Sequence, residues 1–221
     1  ANFLKKMGAN IFGEGTKKIK ILGKDKLSGS KYKVMPDRIE AGTYALSVMG
    51  CSGRIILENM SNDVCDHLIK IFTPLKCLSL KKEKNGSVLE VKKTKSKFIP
   101  IKISTKEYPG FPTDLQAQLT AALLKSDGTS ELKENIFENR FMHISELKRM
   151  GADIKLRGSK IKIKGVKQIF GAEVMATDLR ASSSLIIAGL MAKGLTTVNR
   201  VYHLDRGFEN LENFLFLIKP L

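Results

Sequence analysis

A chain of 221 residues, 43% of them hydrophobic, is long enough for one large domain or two small ones with a real core. Its longest apolar run, around Leu185 to Ala192, is broken by Gly189 and falls far short of the roughly 20 residues that a membrane span needs. Lys plus Arg exceed Asp plus Glu by 38 to 22, a formal charge of +16 that favours anionic partners, either nucleic acid or phosphorylated metabolites.

The first residues, ANFLKKMGAN, lack the basic, apolar and small-residue order of a secretory leader, so a cytoplasmic location is expected. LKKMGANIFGEGTKKIKILG (4–23) reads as a helix end, a Gly-Ala turn and two strands. In MPDRIEAGTYALSVMGCSGRIILEN (35–59), Asp37 opens a helix of about 14 residues that ends near Gly53. HLIKIFTPLKCLSLKKEKNGSVLEVKK (67–93) supplies a further helix, a Lys-Asn-Gly hairpin turn at 84–86 and the alternating strand SVLEVKK. PTDLQAQLTAALLKSDGTSELKEN (112–135) repeats the helix opening with Asp114 and its end at Gly128. LKRMGADIKLRGSKIKIKG (147–165) then matches the first stretch, and ATDLRASSSLIIAGLMAKGLTTVNR (176–200) is the third helix copy, running from Asp178 to Gly194.

The repetition predicts an α+β chain of about three sheet-and-helix units, each about 65 to 75 residues long; Leu115, Leu119, Ala122 and Leu123 share one helical face and the third helix copy is apolar nearly all round, which predicts helices buried between sheets. Cys51, Cys65 and Cys77 show no CxxC spacing, and three histidines are too few to complete a zinc site with them, so neither metal nor cofactor is expected. Lysine-rich strand text such as KKIKIL, LKKEKNG and VKKTKSK has no interleaved aromatic residues, and the chain has no Trp, which disfavours a nucleic-acid stacking surface.

Polar constellations recur at equivalent places in the units: YPGFPTDLQ (108–116), IFENRFMH (136–143), ATDLRAS (176–182) and YHLDRGFEN (202–210). Asp114, Asp178 and Asp205 are candidates to accept a hydroxyl proton, and Arg140, Arg180 and Arg206 to grip phosphate or carboxylate through a bidentate fork. A helix N-terminus with an adjacent arginine is an anion site, and several such mouths together would form a positive cleft. His143 and His203 sit near these motifs and read as packing or capping residues rather than bases. Neither GxSxG, a P-loop nor GxGxxG is present.

PGFPTDLQAQ, FENRFMH, GAEVMATDLRASSSL and VYHLDRGFEN, with MPDRIEAGTY near the start, resemble the signatures of the UDP-N-acetylglucosamine enolpyruvyl transferases of bacterial peptidoglycan synthesis. The sister family acting on shikimate 3-phosphate shares the architecture but matches these strings less well. The resemblance implies an inside-out α/β barrel of repeated βαβαββ-type units and transfer of the enolpyruvyl group of phosphoenolpyruvate to the sugar 3-hydroxyl, with release of phosphate. It also implies roles. Asp114 matches the acid at the 3-hydroxyl, Ile136 a backbone contact to the sugar nucleotide, Arg140 and Arg180 the arginines of the anionic centre, Asp178 a second cleft acid, and Arg206 an arginine that moves onto phosphoenolpyruvate.

The family's Lys-Asn pair and its loop with a reactive Cys or Asp have no match, and none of the three cysteines lies in such a loop. Residues 1–33 therefore read as the end of a domain otherwise absent, and residues 34–221 as most of the acid-bearing domain. The chain alone is expected to be inactive, to self-associate, or to recruit the N-terminal portion that it lacks. Two competing readings are a basic α+β repeat module that binds nucleic acid and a degenerate enolpyruvyl transferase paralogue.

Overall fold

In a computed structural model that describes residues 1–94 and 98–208, the chain divides between Met35 and Pro36 into two units. The first contains α1 (Asn2–Lys6), β1 (Asn10–Phe12) and β2 (Lys20–Leu22), the two strands pairing antiparallel. The turn after α1 needs a left-handed residue, and Gly8 supplies it with φ 99°, as Gly151 does with φ 93° in the related stretch farther along. Ile11 is the only buried residue among 1–35, whereas Ile21 is 66% and Val34 81% exposed, so this unit has no core of its own.

The second unit opens with α2 (Arg38–Cys51), β3 (Arg54–Leu57), α3 (Asn62–Phe72), β4 (Leu78–Lys82), β5 (Leu89–Lys93) and β6 (Lys102–Ser104). It continues through α4 (Gln116–Ala122), β7 (Thr129–Lys133), α5 (His143–Arg149), β8 (Asp153–Arg157) and β9 (Lys160–Lys164). It ends with β10 (Glu173–Met175), α6 (Leu179–Met191) and β11 (Thr197–Asn199). The segment β6–α4–β7–α5–β8–β9 forms one sheet in the order β6-β7-β9-β8, with β6 and β7 parallel across α4 and the other pairs antiparallel. The sheet β3-β5-β4 repeats its last three strands, and the parallel pair β10-β11, joined by α6, repeats its first two. The three sheets share no strand pairing among the described residues, so no closed barrel is seen among them.

Strand alternation explains which faces are covered: in KIKIK of β9, Ile161 and Ile163 are fully buried and the lysines point outward. The inner layer is three helices, α2, α4 and α6, packed on one another. Every residue of α4 is buried, as is nearly all of α2, which fits helices without a polar face. Small residues allow the close approach. A Cβ built on Gly42 of α2 would fall 2.6 Å from Leu115 Cδ1. Ser182, Ser183 and Ser184 of α6 return their hydroxyls to the carbonyls of Asp178, Leu179 and Ala181, which pairs all three of them inside the core.

The C-terminal ends of all three inner helices line one cleft of about 750 Å³, at Gly50–Cys51, Lys125–Ser126 and Leu190–Met191. The helices therefore run side by side in the same direction. Lys93, Lys125 and Lys167 stand at these ends, where cations offset the negative poles of the helices. Part of the lysine excess is structural for that reason. The middle helix departs from the expected 14-residue copy, since tight turns at Thr113–Leu115 and Leu123–Lys125 flank a seven-residue α4. No helix among the described residues is long and apolar enough to cross a membrane.

Replacing Gly42 by Ala should overpack the contact with Leu115, which is fully buried and has no room to retreat. The expected loss is about 1–3 kcal/mol, read from denaturant unfolding.

Candidate active site

The aspartates that open the inner helices are chemically unequal. Asp37 Oδ1 accepts the amides of Ile39 and Glu40 at 2.7 and 3.3 Å, and Asp178 Oδ1 those of Arg180 and Ala181 at 2.8 and 2.9 Å. Both are N-caps, satisfying donors that a helix start leaves unpaired. Asp114 is not a cap. It sits inside the Thr113–Leu115 turn, and its carboxylate meets Arg140 Nη2 at 2.8 Å and Arg180 Nη2 at 3.3 Å. Arg180 belongs to the first turn of α6, so this ion pair joins the mouths of two inner helices.

Burial works to raise the Asp114 pKa, but the Arg180 and Arg140 guanidiniums, by charge and by hydrogen bonding, hold it below the usual carboxylate range. The side chains of Asp114, Arg140 and Arg180 are 35%, 25% and 18% exposed, so an incoming anion or hydroxyl can reach them. Arg140 also donates from Nη1 to Thr113 Oγ1 at 3.0 Å, and its guanidinium lies 4.9 Å from the ring centre of Phe137.

Ile136 joins this cluster through its amide, which donates to Glu134 Oε1 at 2.8 Å. Any backbone contact from Ile136 to a ligand is thus through its carbonyl. Asp178 caps the α6 mouth, with Thr177 Oγ1 donating to its second oxygen at 3.3 Å. Arg206 is exposed and has no ion pair among the described residues, yet Gly207 beside it packs so tightly on Leu179 that a Cβ there would lie 2.8 Å from Leu179 Cδ2. That contact holds the Arg206 segment against the first turn of α6. Asp205 is exposed, and Glu209 and Asn210 of the YHLDRGFEN motif lie outside the described residues.

His143 opens α5 and is buried, and burial pushes its pKa down to about 4, with Asp178 opposing and Arg140 adding to the shift. It is a neutral packing group at neutral pH. His203 packs against Tyr202 with ring centres 4.2 Å apart and planes tilted by 38°. Burial pushes the Cys51 thiol up to about 11, so this cysteine at the end of α2 stays protonated and unreactive near neutrality. Among the described residues, no three His, Cys, Asp or Glu side chains gather to hold a metal.

Sequence reasoning missed Thr113, Thr105 and Glu134, which form the hydrogen-bonded floor of the cluster. Strand parity was the available signal. Ser130 and Leu132 are buried, and Glu134 continues the same alternation into the interior, where a lone acid needs partners. The arrangement can do two things: hold dense negative charge between two arginines, and take a proton at Asp114 beside that charge.

The family profile described as EPSP synthase (3-phosphoshikimate 1-carboxyvinyltransferase) matches residues 1–215. A UDP-N-acetylglucosamine 1-carboxyvinyltransferase of Rhizobium leguminosarum bv. trifolii is 51% identical over 215 residues, covering 97% of this chain and 49% of that protein. One of Ruthia magnifica is 51% identical over 218 residues, covering 98% and 51%. Among solved structures, the enolpyruvyl transferase NikO of Streptomyces tendae superposes with TM-score 0.86 at 22% identity, over 97% of this chain and 51% of that one. EPSP synthase of Acinetobacter baumannii gives TM-score 0.74 at 19% identity, over 97% and 52%. These two show the fold. The chain spans about half the length of the curated relatives that it matches.

Because the folded value of His143 lies below the ordinary 6.5, its neutral, buried form stabilises the fold fully above pH 6.5, and that stabilisation is lost as pH falls toward 4. His143→Gln should remove up to about 3 kcal/mol of acid lability over that interval, read from unfolding midpoints against pH. An unchanged pH profile would contradict the burial of a neutral ring. Asp178→Ala should cost about 1 kcal/mol through loss of the cap.

Proposed function

The chain belongs to the EPSP synthase (3-phosphoshikimate 1-carboxyvinyltransferase) family, and we propose that it forms the acid-bearing half of an enolpyruvyl transferase whose acceptor is UDP-N-acetylglucosamine. The observation that carries this reading is Asp114, excused from capping and held by Arg140 and Arg180 where two helix mouths meet. The choice of acceptor rests on PGFPTDLQAQ, FENRFMH and ATDLRASSSL and on relatives about half identical to this chain that bear that name.

In the proposed reaction Asp114 takes the proton of the sugar 3-hydroxyl as the hydroxyl oxygen adds to C2 of phosphoenolpyruvate, whose C2–C3 π electrons take up a proton at C3 from a general acid or solvent. The C2–O bond to phosphate then breaks, C3 gives up a proton to restore the double bond, and inorganic phosphate leaves. Two arginines suppress the basicity of Asp114. When the phosphate and carboxylate of phosphoenolpyruvate compete for those arginines, the carboxylate becomes a better base at the moment it is needed. Arg180 and Arg140 stabilise the developing charge. Asp178 orients the α6 mouth, Ile136 offers its carbonyl to the sugar nucleotide, and Arg206 closes onto phosphoenolpyruvate from its exposed turn.

We read the helices-inside, sheets-outside repeat as part of an inside-out barrel in a cytoplasmic enzyme. Turnover then needs polypeptide corresponding to the rest of the relatives' length, and the exposed apolar residues of 1–35, among them Ile21 and Val34, are its packing surface or a site of self-association.

Calorimetric titration with UDP-N-acetylglucosamine, set against a nucleic-acid oligomer at two salt concentrations, tests the assignment. Binding of the sugar nucleotide with only a shallow salt dependence is expected, weakened on the order of tenfold by Asp114→Asn, with no turnover when phosphoenolpyruvate is added. Tight, steeply salt-dependent oligomer binding without sugar-nucleotide binding would favour the nucleic-acid module instead. Robust turnover by the purified chain would refute the claim of an incomplete site.

A further inference from the structure

A buried carboxylate stands behind the arginine cluster. Glu134 is 2% exposed, and its oxygens receive four donors: Oε1 accepts from Thr105 Oγ1 at 2.7 Å, Ile136 N at 2.8 Å and Phe137 N at 3.2 Å, and Oε2 from Thr113 Oγ1 at 2.9 Å. An acid so buried is costly unless its lone pairs are met, and these donors meet them. The arrangement also fixes a direction. A threonine hydroxyl has one proton, and at Thr113 it goes to Glu134, leaving the oxygen to accept from Arg140 Nη1 at 3.0 Å.

Arg140 is thereby held on three sides. Nη1 is anchored on Thr113, Nη2 on Asp114, and its plane rests near Phe137, whose own amide is pinned by Glu134. Two of these three anchors depend on Glu134. A solvated glutamate at a strand end would need none of this, and a purely structural acid would not reach the reacting cluster through a hydroxyl relay.

We propose that Glu134 is a positioning residue of the site, which fixes Arg140 through the Thr113 hydroxyl and the Ile136–Phe137 turn and so sets the place and the charge environment of Asp114 without touching substrate. The proposal rests on the reading of Asp114 as the proton acceptor. The charged groups facing Asp114 are Arg140 and Arg180. Asp178 and the ring of His143 lie within electrostatic reach of each other, and Arg140 is within reach of that ring. Glu134 acts from one hydroxyl behind.

Thr113→Val removes the relay and leaves every charge in place, whereas Thr113→Ser keeps the hydroxyl. The readout is a carbon-detected NMR titration of the Asp114 carboxyl in the full chain, with thermal unfolding to confirm that each variant folds. In Thr113→Val the Asp114 midpoint should climb toward that of an ordinary carboxylate, and affinity for UDP-N-acetylglucosamine should fall about tenfold. Thr113→Ser should behave as the unaltered chain. In Glu134→Ala the Ile136 and Phe137 amides should exchange with solvent at least about tenfold faster, while in Thr113→Val they stay slow. A folded Thr113→Val whose Asp114 titrates as in the unaltered chain overturns the proposal, as does unchanged exchange in Glu134→Ala. If Glu134→Ala does not fold, Thr113→Val decides alone. Failure of the unaltered chain to bind UDP-N-acetylglucosamine would count against the proposed acceptor and not against Glu134, because the Asp114 titration needs no ligand.

Discussion

Arg180 reaches Asp114 only because two internal helices open their N-terminal mouths on the same side of the fold. That constraint is inherited from the core. Three helices with no polar face can be buried only by one another and by sheets, and small residues such as Gly42 and Ser182–Ser184 let them approach closely. Running them in one direction gathers their C-terminal carbonyls at a cleft lined by Lys93, Lys125 and Lys167. It also gathers unpaired amides and first-turn side chains at the opposite end, where anions are stabilised. The carboxylate held by two arginines sits at that end.

Repetition with one exception makes this site. Asp37 and Asp178 spend an oxygen on backbone amides, as a helix start requires. The middle copy starts with a tight turn instead, and the carboxylate released from capping is the one the arginines hold. A partly exposed ion pair of this kind adds little to stability, since water and salt screen it. Its arrangement therefore makes better sense as preparation for a ligand than as reinforcement of the fold.

Much of this was legible in the sequence. The match between residues 4–23 and 147–165 gave the helix-turn-strand-strand stretch twice, and the three aspartate-led helices gave the internal layer. What the text could not reveal was the difference between PTDLQ and ATDLR. Asp178 caps because its backbone is extended, at φ −159° and ψ 173°, while Asp114 lies within a turn, and near-identical letters conceal that change. Glu134 was hidden for another reason. An acid in ELKEN reads as solvated, and only its place just past β7, on the inward parity of Ser130 and Leu132, shows that it must be paired. The lysines of β9 cover the outer face of a sheet, so that part of the net charge is a solvated strand face and not a binding surface.

The account stands on the pairing of Asp114 with an arginine from a different helix. NMR titration of the Asp114 carboxyl after Arg180→Met tests it most directly. The midpoint should move up toward the ordinary carboxylate value, because a cation that lowers it is gone while burial remains. A midpoint unmoved by the substitution, in a protein that still folds, would contradict the claim that the helix mouths share one charged centre.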